Sequence, residues 1–458
     1  MSDRLFPSDP VTRDYARAIY AEVADLPIIS PHGHVDPNLL LANKPFGNPA
    51  ELFIYFDHYV TRLLHAEGVN LDLITKSAKD AKRAWQIFCS NWQLFHGTNS
   101  GYWLTYIFEN IFDIKDSPNS ENADELYEKI QTRLCDPEFL PRNLIKKFRI
   151  SFLATTDDPL DNLAAHKELN NDPTFETKIA PTFRPDKFLD PRVDNWANNV
   201  KELLKISGNQ AATYEGFINS LQIRRKFFIE AGAVSADHGV EDPYTVILSH
   251  EVAANLFLKA LNGSISEADA REFAGHMLSE MARMSCEDGL VMTLHAGVVR
   301  NHHFGTFAQF GPDTGHDLPI KSEFVRNLQP LLNAYGNHQN LNLILFTLDD
   351  TLWGREIAPL AGFYRSVLIG APWWFLDSPK SIIKFREATV EIAGFYRGSG
   401  FIDDTRAFLS IPARHDMARR VDASFLATLV AEGRLSLVEA KQISRDLVTT
   451  IPKRAFKL

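Results

Sequence analysis

Eight short apolar runs, each ending on polar or charged residues, punctuate the chain at 26–34, 150–157, 178–184, 231–238, 289–295, 342–347, 366–374 and 400–404. They read as strands, and segments of helical periodicity lie between most of them. In 214–230, Phe217, Ile218 and Leu221 fall at helix spacing and Gly232 supplies a stop. The segment 381–397 reads the same way and runs into Gly398 and Gly400. Alternating strands and helices imply parallel pairing with right-handed crossovers. Eight such units predict an α/β fold, a (β/α)8 TIM-type barrel, with the polar strand ends gathered on one face. A doubly wound sheet fits the same alternation.

The regular spacing breaks once, between the first and second strands. Residues 38–148 are too many for one crossover, and 50–65, 81–95 and 122–134 have helical patterns. Asn122 followed by Glu125 predicts a capping box, with Leu126, Ile130 and Leu134 as the apolar stripe behind it. The expected organisation is a barrel domain from 1–37 and 149–458, with 38–148 as a helical insertion covering its mouth. The stretch 423–458 reads as largely helical.

The strand ends carry the candidate chemistry. Side chains alternate along an extended strand, so His32 and His34 face the same way, and two neutral imidazoles suit a divalent metal. The later ends read Thr155-Thr-Asp-Asp-Pro159, Phe183-Arg-Pro-Asp-Lys187, Asp237-His238 and Leu294-His-Ala-Gly297. The eighth offers Asp403, Asp404 and Arg406. On a barrel these positions surround one pocket. The plainer reading is that such residues cap helices and satisfy turn amides, and it is preferred for Thr155, Asp157 and Asp158. His302 and His303 read as surface-loop residues. Trp373 and Trp374 are adjacent, so one of the pair is expected to face inward.

Composition narrows the classes. A net charge of -10 argues against a nucleic-acid surface, which needs a basic face. Cys89, Cys135 and Cys286 lack metal-type spacing, and reduced thiols in a cytoplasmic setting are the expectation. The first residues do not read as a signal peptide, and no uncharged run of about 18 apolar residues suggests a membrane span.

A strand-1 His-x-His with a strand-8 aspartate resembles the metal pattern of the amidohydrolase superfamily. The longer motifs are similar to those of the uronate isomerase (glucuronate isomerase) family: Asp57-His-Tyr59, Thr155–Pro159, Phe183–Lys187, Asp237-His238, Trp373-Trp-Phe375 and Asp404-Thr-Arg-Ala-Phe-Leu-Ser410. Two departures stand out: Ser30-Pro31 before the first histidine, and Thr347-Leu-Asp-Asp350 at the sixth strand end. The resemblance implies interconversion of D-glucuronate with D-fructuronate, or D-galacturonate with D-tagaturonate, by C2–C1 proton transfer through a cis-enediol. It implies one divalent metal on His32, His34 and Asp404, with zinc first and manganese, iron or cobalt as alternatives. Tyr59 is then the proton shuttle, assisted by a cation such as Arg406, and Arg184 is the carboxylate clamp. His58, Asp237, His295 and Trp374 complete the implied pocket, with His58 and Asp237 on its catalytic side. The expected partner is a small hexuronate, without nucleic acid or membrane, and a homo-oligomer is allowed. The rival class is a mononuclear metallohydrolase acting on a sugar-acid lactone, ester or amide. A sugar-acid binder without catalysis is disfavoured, having no use for a metal, a phenol and two arginines around one pocket.

Overall fold

The computed structural model describes residues 3–209 and 211–458. Three strands, β1 (Ile28–Ser30), β2 (Ile150–Ala154) and β3 (Lys178–Ala180), pair in parallel in that order. A second parallel sheet runs β4 (Ser235–Val240), β5 (Val291–Ala296), β8 (Leu343–Thr347) and β9 (Val367–Ile369). A short antiparallel ribbon, β6 (Val298–Val299) with β7 (Leu318–Pro319), lies between β5 and β8 in the chain. Single parallel bridges from Phe183 to Asp157 and to Ala236 join the first sheet to the second. At the far edge Ile369 bridges Gly398, and the His34 N–H donates to the Thr405 carbonyl at 3.0 Å.

Seven of the eight expected runs form strands; in the first sheet the ladders stop before the chemistry-bearing residues, whereas Asp237 and His295 lie within β4 and β5. Pro31 follows β1 and Pro181 follows β3, and proline cannot donate to a ladder. His32, His34 and Arg184 therefore stand beyond the strands. The eighth run, 400–404, is no strand. Gly400 (φ 79) and Asp404 (φ 40) occupy the left-handed region, which extended pairing does not allow.

Helix 214–230 forms as Tyr214–Glu230, ending before Gly232 at φ 99. The expected helix 50–65 divides instead into a π-helical turn, Glu51–Tyr55, and an α-helix, His58–Ala66. Asp57 causes the break, because its carboxylate accepts the Tyr59 N–H at 2.9 Å and starts a new helix. The segment 81–95 splits likewise into Ala81–Ser90 and Trp92–Phe95, and 381–397 into Pro379–Ala393 and Phe395–Arg397. No capping box forms at Asn122: its side chain is bound to the preceding loop, accepting from Asn119 N–H and donating to the Ser117 carbonyl. The motif forms at Ser436 and Glu439 instead. The C-terminal helices begin earlier than expected, at Ser410–Ala431.

The helices within 38–148 share one core with the first sheet, where Trp85, Phe88 and Phe112 join Ile28, Leu153 and Ile179. Phe217, Phe257, Met292 and Leu343 belong to a second core on the other sheet. Among the described residues no helix is long and apolar enough to cross a membrane. The cysteines are free, Cys89 and Cys286 buried and Cys135 exposed.

Between β2 and β3, Asp157 ties the backbone together, as the plainer sequence reading had it. One oxygen accepts the Thr155 hydroxyl at 2.6 Å and the Thr182 N–H at 3.1 Å. Burial outweighs these bonds and pushes its carboxyl up to about 7. A folded-state value above the unfolded 3.8 means stability is lost as pH rises from about 4 to about 7. Asp157→Asn, neutral throughout, is therefore expected to raise Tm relative to wild type more at pH 8 than at pH 5. Equal shifts at both pH values in thermal melts would contradict the assignment.

Candidate active site

His32 and His34 follow β1, and Asp404 reaches them because Thr405 is bonded to His34 through the backbone. Asp404 Oδ1 lies 3.0 Å from His34 Nε2 and 3.5 Å from His32 Nε2. His32 is 1 % exposed, and burial lowers its imidazole to about 4 against the opposing pull of Asp237 and Asp404. Burial alone would raise Asp404, but His32, His34 and His295 outweigh it and hold the carboxyl far below the usual range. The donor set fits a divalent ion: two imidazole nitrogens and a carboxylate oxygen converge, and ligand atoms around tetrahedral zinc lie roughly 3.4 Å apart for bonds of ~2.1 Å.

A second group, His32, Asp237 and His295, also brings potential ligand atoms together. Here, however, the carboxylate has other partners. Asp237 Oδ1 lies 2.6 Å from His295 Nδ1 and accepts the Thr293 hydroxyl at 2.7 Å. Its Oδ2 is 3.5 Å from Arg184 Nε. Burial would raise Asp237, and His295, His32 and Arg184 together reverse that and keep it ionised. The His295 ring stacks 4.8 Å from His32 and 4.1 Å from Phe346, leaving Nε2 buried without a hydrogen-bond partner. His238, the next residue on β4, turns the other way to the Thr293 carbonyl.

A cavity of about 320 Å³ opens beside these groups, and His34, His58, Tyr59, Arg184, Trp374, Asp404 and Arg406 all line it. His32, Asp237 and His295 are buried outside that lining. Asp186 holds Arg184 by a 2.8 Å bond to Nε and also accepts the Gly239 N–H at 3.0 Å. A Cβ at Gly239 would lie 2.8 Å from an Arg184 terminal nitrogen and 3.0 Å from an Asp186 oxygen, so a side chain there would displace the ends of this pair. The His58 ring stacks on Tyr59 at 4.6 Å, and burial, reinforced by Arg406, lowers its imidazole to about 3. Burial raises the Tyr59 phenol well above its ordinary value, with Arg414 opposing.

Two sequence expectations change here, and one lining residue is new. The cation beside Tyr59 is Arg414, because Arg406 is turned to Asp313 at 2.7 Å. Both tryptophans face the cavity: Trp373 packs 4.6 Å from His295 and Trp374 5.4 Å from His58. Side-chain alternation fails because Trp374 has φ 51 and begins a 3₁₀ turn. Arg300 was not expected at all. It lines the cavity, lies over Trp374 at 5.0 Å and pairs with Asp317 at 2.9 Å. It follows β6, a strand absent from the eight-run pattern, and only its nearness to His295 and the Gly297 turn hinted at it.

Residues 9–456 match the family described as Glucuronate isomerase. The chain is 46% identical over 460 residues to a uronate isomerase of Corynebacterium efficiens, covering all of this chain and 98% of that one. It is 47% identical to one of Cutibacterium acnes at the same coverage. The crystal structure of a glucuronate isomerase from Caulobacter crescentus superimposes with a TM-score of 0.97 at 43% identity, covering 100% of this chain and 96% of the other. The likeness thus extends over every strand and the helical segment that together wall the cavity, and this chain belongs to the glucuronate isomerase family.

Proposed function

We propose that the chain interconverts hexuronates with their keto isomers, D-glucuronate with D-fructuronate and D-galacturonate with D-tagaturonate. The observation that carries this reading is the meeting of a phenol, guanidinium groups and a two-histidine, one-carboxylate cluster at one cavity. The eight parallel segments are taken as one closed (β/α)8 barrel spanning 1–37 and 149–458, with 38–148 as the insertion over its mouth. The bridges at Phe183 and Gly398 and the bond from His34 to Thr405 support closure. The reading includes one divalent ion on His32, His34 and Asp404, zinc before manganese, iron or cobalt. Such an ion supplies Lewis acidity toward the sugar's carbonyl oxygen.

Arg184 grips the distal carboxylate. Asp186 takes its Nε and leaves the terminal amino groups for a two-point contact. Tyr59, as phenolate, takes the proton from C2; the C–H electrons enter the C1–C2 bond and O1 gains the charge. The same phenol returns the proton to C1 while the O2 proton passes to O1, which leaves the ketone at C2. Arg406 offsets the charge on O1, the substrate replacing part of the hold Asp313 has on it. Trp374 shapes the pocket, and His295, kept in place by Asp237, supports Trp373 from behind. The hydrolase alternative is not favoured, because the family model over residues 9–456 and the relatives at 46–47% identity are isomerases of glucuronate or uronate.

The metal-loaded protein is expected to form ketose from D-glucuronate or D-galacturonate and to lose the activity on exhaustive chelation. Lactone or amide hydrolysis without ketose would contradict the reading. Arg184→Met is expected to raise KM for the acid by roughly 10-fold or more, since a charged hydrogen bond is worth about 1.5–3 kcal/mol. An unchanged KM would place the clamp elsewhere. Arg406→Lys is expected to retain metal, read by elemental analysis, while kcat falls by about 10²-fold or more. Turnover at the wild-type rate would remove Arg406 from the chemistry.

A further inference from the structure

The proposed shuttle needs a phenolate, yet burial disfavours that form of Tyr59 and Arg406 is committed to Asp313. The cation that meets the need comes from the helix Ser410–Ala431, a segment outside every strand end. Arg414 is 1 % exposed, and its guanidinium carbon lies 5.3 Å from the Tyr59 ring centre. Its position is fixed on several sides. Nη1 donates to Asp377 Oδ2 at 2.8 Å and to the Asp403 carbonyl at 3.2 Å, and Nε donates to Ser410 Oγ at 3.1 Å. The indole of Trp103 lies against its face at 3.5 Å, and the edge of Trp103 also meets Tyr59, 5.3 Å between rings. Asp57, which starts the helix carrying Tyr59, is a further carboxylate acting on Arg414.

A purely structural ion pair would satisfy both partners. Here Asp377 Oδ1 is buried with no hydrogen-bond partner, and burial has pushed the Asp377 carboxyl up to about 7 despite Arg414. The pair is poorly matched as a staple. It is better suited to keeping a positive charge beside the phenol in a dry wall, where that charge acts strongly. We propose that Arg414 is the positioning residue for Tyr59, holding the phenol in place and favouring its anion, while Asp377, Ser410 and Trp103 hold Arg414. The proposal rests on the isomerase reading above.

The test is a kinetic double-mutant cycle on the metal-loaded enzyme with D-glucuronate: Tyr59→Phe, Arg414→Lys and the double variant. Arg414→Lys is expected to lower kcat at least 10-fold with KM within about threefold of wild type. In the Tyr59→Phe background the same change is expected to alter kcat by less than threefold, because the group it serves is gone. The effect of C2 deuteration on kcat is also expected to grow in Arg414→Lys. Should that variant fail to fold, Arg414→Met with Asp377→Asn removes both buried charges, and the same pattern is expected. Losses that multiply in the double variant, or that fall on KM, overturn the assignment of Arg414 and leave the isomerase reading standing. A Tyr59→Phe enzyme at the wild-type rate overturns that reading as well.

Discussion

One backbone hydrogen bond governs the site: the His34 N–H to the Thr405 carbonyl, 3.0 Å long. It joins the end of the first strand to the last parallel segment and so sets Asp404 beside two imidazoles from the opposite end of the chain. The segment is not extended at that point, because Asp404 sits at φ 40. A non-glycine residue in the left-handed region persists only when its surroundings hold it there. Here the fixed points are the bond to His34 and the contacts of its carboxylate with His32 and His34. Strain at Asp404 and convergence of the three side chains are thus one structural fact.

The second organising feature is electrostatic. The four guanidinium groups in or behind the cavity each have an aspartate: Arg184 with Asp186, Arg300 with Asp317, Arg406 with Asp313 and Arg414 with Asp377. Long side chains lose rotamer freedom before any ligand arrives, and preorganisation of this kind reduces what binding and reaction must supply. The pairs differ in exposure. Arg406 and Asp313 are more than one-third exposed, so a ligand can compete for them, whereas Arg414 and Asp377 are fully enclosed. That contrast separates an arginine suited to meeting substrate from one suited to acting through Tyr59.

Much of this was legible in the sequence, and the failures share a cause. Apolar runs located seven strands because burial of a sheet core dictates continuous hydrophobic stretches. His34, His58, Tyr59, Arg184, Trp374, Asp404 and Arg406 do meet around one cavity, with His32, Asp237 and His295 buried close by. Hydrophobic pattern reports burial but carries no information about the sign of φ. The eighth strand therefore failed at Gly400 and Asp404, and the one-faces-in rule failed at Trp374. Capping residues compete for several local partners, so Asp57 divided a helix and Asn122 turned back to its loop. Arg414 was invisible for another reason. Its partners Asp377 and Tyr59 are distant in sequence, and a buried arginine in a helix gives no periodic signal.

The most direct test of the spatial claim is an anomalous-scattering map of zinc-loaded crystals soaked with D-glucuronate. A single peak bounded by His32, His34 and Asp404 is expected, with the Tyr59 hydroxyl within hydrogen-bonding reach of the sugar's C2–C1 edge. A peak held by other residues, or a sugar bound with those carbons turned away from Tyr59, would contradict that claim.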